Sequence, residues 1–312
     1  MQILETSFGA YKELCLINSI NSVRLCVLPE LGGMLRSLSL RKNDEWFSIL
    51  WTSEDPDVFN TKHVVAYSGS KLSPFPNRIN GGLYSFNHKK LQLSCNEPSY
   101  PHALHGFVYN EVFQIESNPE ILKLTLSYDG ATEGYPFPYL LTISYSLQDN
   151  GITITTDVCN TGNTIMPVGD GWHPYFALGG KVDDWILTLP GNKYYLIDEK
   201  YIPTLKTADF QHDGNTIIGD IELNYCFEIA QTEANVGVTR ISDPNTGLEV
   251  EIWQKSGISQ YNYVQYYIPK ERNCIAVEPM TCIPNAFNNG IGLITLAPGE
   301  SQNWTFGITI IH

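Results

Sequence analysis

Leu122-Lys123-Leu124-Thr125-Leu126 and Leu141-Thr142-Ile143-Ser144-Tyr145 alternate apolar with polar residues, the period-two pattern of strands that bury one face and wet the other. Comparable strand patterns occur at 22–28, 152–158, 185–189, 248–253, 262–268 and 304–311. Turn-forming residues separate the runs, as in Gln148-Asp149-Asn150-Gly151 and Asp243-Pro244-Asn245-Thr246-Gly247. Helical periodicity sustained over about ten residues is absent. Many short strands at this spacing predict an all-β chain, a large antiparallel β-sandwich. No linker, composition shift or repeat divides the chain, so one domain over residues 1–312 is expected.

The composition is that of a folded chain with a sizeable core: 312 residues, 43% hydrophobic and 12% aromatic. A net charge of −14, with 19 basic residues scattered among 33 acidic ones, leaves no basic stripe. Nucleic acid and anionic membranes are therefore not expected partners. No apolar stretch approaches the roughly 20 residues of a membrane helix. Met1 to Ala10 carries an early Glu5 and no basic start before an apolar run, so a cytoplasmic protein is expected, as a monomer or homodimer. The seven cysteines, from Cys15 to Cys282, include no CxxC pair. They read as free, mostly buried thiols, with no metal site. Asn303-Trp304-Thr305 matches a glycosylation acceptor, a triplet that chance often supplies.

Four segments break the alternation and gather ionisable side chains beside proline, glycine and aromatic residues. In Ser73-Pro74-Phe75-Pro76-Asn77-Arg78-Ile79-Asn80-Gly81-Gly82 the prolines and glycines shape a loop presenting Asn77 and Arg78, either as binding groups or as an ordinary solvated turn. In His102-Ala103-Leu104-His105-Gly106-Phe107 the two imidazoles, three apart on a strand, would face opposite sides, which suits hydrogen-bonded histidines better than a metal pair. In Gly169-Asp170-Gly171-Trp172-His173-Pro174-Tyr175-Phe176 a histidine lies among aromatics, before a proline that biases it toward extended backbone. Imidazole is the side chain best matched to proton transfer near neutrality, although a structural histidine would satisfy the same pattern. In Ile275-Ala276-Val277-Glu278-Pro279-Met280-Thr281 a carboxylate sits in an apolar strand, where it needs a partner. An ion pair with Arg78 is one such reason.

Together, in this order, the four segments resemble the aldose 1-epimerase (galactose mutarotase) family. Leu31-Gly32-Gly33, Gly134-Tyr135-Pro136-Phe137, Ile202-Pro203-Thr204 and Leu296-Ala297-Pro298-Gly299-Glu300 resemble further family motifs, so the likeness spans most of the chain. The resemblance implies a large antiparallel β-sandwich with a sugar in an open cleft. It implies His173 as the acid at the ring oxygen, Glu278 as the base at the anomeric hydroxyl, and Asn77, Arg78 and His105 as sugar-positioning residues. Where the family commonly has a hydroxyl-binding aspartate, Asn224-Tyr225-Cys226-Phe227 offers Asn224, with Glu222 and Asp220 as alternatives nearby. An amide donates as well as accepts, so the hydroxyl pattern it reads differs from a carboxylate's.

The implied reaction is interconversion of the α and β anomers of a hexose, which requires no cofactor. A nearby Glu278 would favour a protonated His173 at the start. Trp172, Tyr175, Trp253 and Phe287 are candidates to cover a sugar face or, individually, to pack the core. Two alternatives remain at this level. A hexose 6-phosphate 1-epimerase would need several basic residues around the cleft, for which the segments supply Arg78 and Lys71. A non-catalytic carbohydrate-binding or sensing protein would not require both His173 and Glu278.

Overall fold

Residues 122–126 and 141–145 lie in the strands Leu122–Tyr128 and Tyr139–Gln148 of a computed structural model, which describes residues 1–20, 22–42, 44–118, 120–211 and 215–311. The two-residue turn Asp149-Asn150 returns the chain into Gly151–Asn160, with Gln148 opposite Gly151. This register places Tyr139, Leu141, Ile143 and Tyr145 in the core, while Leu140 is 37% exposed on the other face. The expected alternation is thus expressed as an inside and an outside. Gly247, at φ +72°, closes the other marked turn, donating its amide to the Asp243 carbonyl.

Among the described residues a nine-stranded antiparallel sheet runs from Gln114–Ser117 to Thr216–Ile217, with Gly151–Asn160, Ser301–Ile311 and Leu248–Lys255 adjacent at its centre. An eight-stranded sheet faces it. Its path runs through Lys193–Ile197, Asn224–Glu228, Tyr263–Tyr267, Ile275–Met280, Gly171–Trp172 and Lys71–Leu72. The sheets meet through side chains such as Trp172 on Phe306, ring centroids 5.8 Å apart, and a hydrogen bond of 2.6 Å between the Thr239 and Tyr266 hydroxyls. One apolar cluster, from Leu14 to Ile310, includes residues of both sheets and of a five-stranded N-terminal sheet. Each fully buried Leu, Ile or Phe contributes about 1.5–3 kcal/mol relative to an exposed one. The helical pieces are short, 56–64 and Ala286–Asn289 being examples, and among the described residues no helix is long and apolar enough to cross a membrane.

Contrary to the expectation of free thiols throughout, two cysteines are joined. Cys15 and Cys26 stand directly opposite each other on Tyr11–Ile17 and Val23–Leu28 and form a disulfide. A cross-strand pair carries no short sequence spacing; it emerges only from the hairpin register. Cys226, Cys274 and Cys282 are free and buried, as expected, whereas free Cys95 is exposed and Cys159 half-buried.

Beneath the outer face of the eight-stranded sheet lies a charged pair with no solvent exposure. Lys71 Nζ reaches Asp170 Oδ1 at 2.5 Å, the Tyr261 hydroxyl donates to the same oxygen at 2.6 Å, and Thr281 Oγ1 accepts from the Asp170 amide at 2.9 Å. Lys71 Nζ also donates to the Gly171 carbonyl and lies 4.9 Å from the centre of the Trp172 ring. Burial lowers the Lys71 ammonium to about 8 and raises the Asp170 carboxyl, each opposed by its partner. Removing one charge strands the other. Lys71→Met should therefore lose about 3–5 kcal/mol of stability, whereas Lys71→Met combined with Asp170→Leu should recover most of it. Urea denaturation of the single and double variants measures this, and additive losses would contradict the coupling.

Candidate active site

On the eight-stranded sheet, side-chain alternation sorts residues onto two faces. Along Ile275–Met280, Ile275 and Val277 enter the main core, while Glu278 takes the opposite face with Ala276 and Met280. Gln265 lies opposite Glu278 on the next strand, and Cys226 opposite Gln265 on the one beyond. Asn224, two residues from Cys226, shares that face, and its Oδ1 accepts from Gln265 Nε2 at 3.1 Å. The amide nitrogen of Asn224 is left as the donor toward a ligand, the opposite polarity to a carboxylate.

His173 reaches the same face from Gly171–Trp172, whose Trp172 enters the core. Its amide donates to the Ser70 carbonyl at 3.0 Å and its carbonyl accepts from Gly69 at 2.8 Å. The imidazole stacks on Tyr175 at 4.9 Å, and Nε2 lies 3.4 Å from Glu278 Oε1. His173 Nδ1 and Glu278 Oε2 are buried and have no hydrogen-bond partner among the described residues.

The Asn77-Arg78 loop lies beside the His105 segment. Arg78 pairs with Leu104, and the His105 amide donates to the Asn77 carbonyl at 2.9 Å. Gly106, at φ +69°, passes so close to Ser73 that a Cβ would lie 2.0 Å from the Ser73 carbonyl oxygen. That position therefore requires glycine. The Asn77 amide donates to His105 Nδ1 at 3.2 Å. A backbone amide can only donate, so the neutral ring carries its proton on Nε2. Asn285 clamps the loop from the other side, accepting from the Asn80 amide at 3.0 Å.

These residues line an open cleft of about 760 Å³, with Tyr67, Glu97, Tyr175, Tyr201, Tyr267 and Lys270 also on its walls. All six residues expected at the site, His173, Glu278, Asn77, Arg78, His105 and Asn224, are brought together there. Glu222 lines the cleft as well. The ion pair considered between Glu278 and Arg78 does not form; Arg78 instead forks onto Glu97. Lys71 is no cleft residue, being held within the sheet by Asp170. Of the four aromatics considered, Tyr175 lines the cleft. Trp172 and Phe287 pack the core, and Trp253 covers Gly307 on the other sheet. His102 is structural, accepting from the Gly81 amide through Nδ1 and meeting the Lys200 carbonyl through Nε2.

Gln265, Glu97 and Tyr67 escaped the sequence reading. Gln265 had a visible signal, a polar residue in the alternating run 262–268, but its register with Glu278 is a tertiary fact. Glu97 and Tyr67 lie outside the marked segments.

Burial dominates the electrostatics. It lowers His173 to about 3 and raises the Glu278 carboxyl well above its usual value, with Arg78 opposing. His105 is pushed well below the ordinary imidazole value by burial, then by His173 and Arg78. Removal from water therefore favours a neutral imidazole at His173, in contrast to the expected imidazolium.

Residues 16–309 match the family described as aldose 1-epimerase. The chain belongs to the aldose 1-epimerase family. Its similarity to the uncharacterized Escherichia coli (strain K12) protein YihR is 31% identity over 252 residues, covering 78% of this chain and 79% of that one. The galactose mutarotase-like fold is shared with solved structures. A galactose mutarotase-like protein from Clostridium acetobutylicum superposes with a TM-score of 0.86 at 19% identity, covering 100% of this chain and 99% of the other. An aldose epimerase homologue from C. elegans superposes at 0.83 with 18% identity, covering 100% and 99%.

At about pH 5.5, where a free imidazole is roughly 90% protonated, both His105 and His173 should give the ring ¹⁵N shifts of neutral imidazole, with His105 as the Nε2–H tautomer. An imidazolium signal from either ring at that pH would contradict the burial argument.

Proposed function

We propose that this member of the aldose 1-epimerase family interconverts the α and β anomers of an aldose, with His173 and Glu278 exchanging the protons. The observation that carries the reading is the 3.4 Å approach of His173 Nε2 to Glu278 Oε1 in the cleft, each group retaining a second, unpartnered polar atom.

Ring opening removes a proton from the anomeric hydroxyl and delivers one to the ring oxygen as the bond between C1 and that oxygen breaks. Glu278 accepts the first and His173 donates the second. Rotation about C1–C2 then turns the other carbonyl face toward the returning hydroxyl, and closure reverses both transfers. No atom is gained or lost. The pair needs one mobile proton, and its net charge is the same whether that proton is on carboxyl or imidazole. Burial alone favours the uncharged arrangement. A bound sugar favours the charged one, because its anomeric hydroxyl donates to the carboxylate and its ring oxygen accepts from the imidazolium. Asn77, Arg78, His105 and Asn224, with Gln265 behind Asn224, supply hydrogen bonds that orient the ring.

Replacing either member with an uncharged amide of similar shape should remove proton transfer but keep the cleft. His173→Gln and Glu278→Gln should each lower the rate of anomer exchange by about 10²- to 10⁴-fold with melting temperatures near the parent's. Polarimetry of freshly dissolved α-glucose and α-galactose, corrected for buffer, reads this, and near-parental activity in either folded variant removes the assigned role.

The pH dependence follows from the pair's proton count. Below the lower transition a second proton binds and no acceptor remains; above the upper transition the last proton leaves and no donor remains. With His173 lowered to about 3, the second proton binds only near that value, so kcat/KM should be flat from about pH 4 to 5, and burial moves the upper transition above the ordinary carboxylate range. A carboxylate base of ordinary value would instead make the rate rise several-fold from about pH 4 to 5, and such a rise would exclude the burial-set pair.

A further inference from the structure

Arg78 and Glu97 face each other on the cleft wall, their side chains 16% and 8% exposed. The contact runs along one edge of the guanidinium. Arg78 Nε lies 3.1 and 2.9 Å from the two carboxylate oxygens, and Nη2 lies 2.7 Å from Oε1. Nη1 donates to Asn77 Oδ1 at 3.3 Å, and the Tyr201 ring covers the guanidinium at 5.1 Å. One fork-forming edge of the guanidinium, Nε with Nη2, is therefore occupied by the protein's own carboxylate, which also balances its charge. Two N–H groups, one on each terminal nitrogen, remain to donate to neutral hydroxyl oxygens.

Glu97 is held in place on a stapled loop. The neighbouring Asn96 side chain accepts from the Leu104 amide at 2.7 Å and donates to the Leu104 carbonyl at 3.0 Å and the Tyr109 hydroxyl at 3.1 Å. The Asn96 and Glu97 amides both donate to the His102 carbonyl. The same segment that carries His105 thus fixes Glu97 against Arg78.

The other cations on the wall offer little to an anion. Arg272 is committed to Asp183 and to the Ile221 and Gly219 carbonyls. Lys270 is exposed and without an ion-pair partner among the described residues, but Glu222 joins Glu97 on the lining. We propose that Glu97 is a specificity-determining residue, which restricts the cleft to uncharged sugars by balancing the charge of Arg78 and occupying its Nε–Nη2 edge. This rests on the sugar-binding reading of the cleft and adds a selectivity to it.

The test compares the parent with Glu97→Gln and Glu97→Ala, using inorganic phosphate as the probe. The glutamine variant keeps the shape of the side chain and an acceptor for Arg78, so it preserves the loop even if the alanine variant loosens it. Calorimetry should show phosphate binding strengthened by about tenfold or more in Glu97→Gln, with competition by glucose. In parallel, the ratio of kcat/KM for glucose 6-phosphate to that for glucose should rise by about tenfold. Phosphate affinity unchanged within about twofold in the folded glutamine variant would overturn the proposal, as would a parent protein that prefers glucose 6-phosphate. The calorimetric reading does not depend on turnover, so absence of anomer exchange would count against the catalytic reading while leaving the role of Glu97 to the phosphate measurement.

Discussion

Two opposite charges with no access to water, Lys71 and Asp170, constrain the centre of this molecule. A buried ion pair is stable only if its geometry and its remaining hydrogen bonds compensate for lost hydration. Here the compensation comes from the Tyr261 hydroxyl and the Gly171 carbonyl, while Thr281 holds the backbone amide of Asp170. Lys71 leads into the loop of Asn77 and Arg78. Asp170 leads, through Trp172, into His173, and Thr281 follows the strand that bears Glu278. The residues at the cleft therefore have their backbones set by a polar junction that a ligand in the cleft does not touch.

The cleft above this junction is polar in composition but poorly hydrated at its base, and that combination sets its chemistry. His173 and Glu278 are each almost fully buried, so both are driven toward their neutral forms, whatever their mutual attraction. In the proposed reaction, a charge created there during proton transfer meets fixed polar partners instead of reorganising water. Burial favours a neutral His105, and the main-chain amide on Nδ1 leaves Nε2–H as its donor.

Much of this was legible in the sequence. The alternation at 122–126 and 141–145 reports a side chain's face directly, so the strands and the sandwich followed from it. His173 and Glu278 stood out because an imidazole among aromatics and a carboxylate in an apolar strand both demand explanation. What escaped was pairing. Gln265 is one polar residue in a strand until its register sets it beside Glu278, Glu97 is one acidic residue among many until it meets Arg78, and Cys15 and Cys26 pass as isolated thiols until a hairpin opposes them. The burial of His173 is hidden for a related reason: sequence suggests a neighbouring charge but not the depth at which both groups lie.

Glu278, Gln265 and Asn224 stand on adjacent strands of one hydrogen-bonded sheet, and His173 is bonded through its backbone to Ser70 and Gly69. Neither jaw of this arrangement rides on a long mobile loop. In the proposed reaction the swinging part is consequently the guest: the freed aldehyde pivots through half a turn while its host stays still. The roominess of the cleft then has a mechanical purpose, since a pocket moulded tightly to one anomer would arrest the pivot needed to make the other.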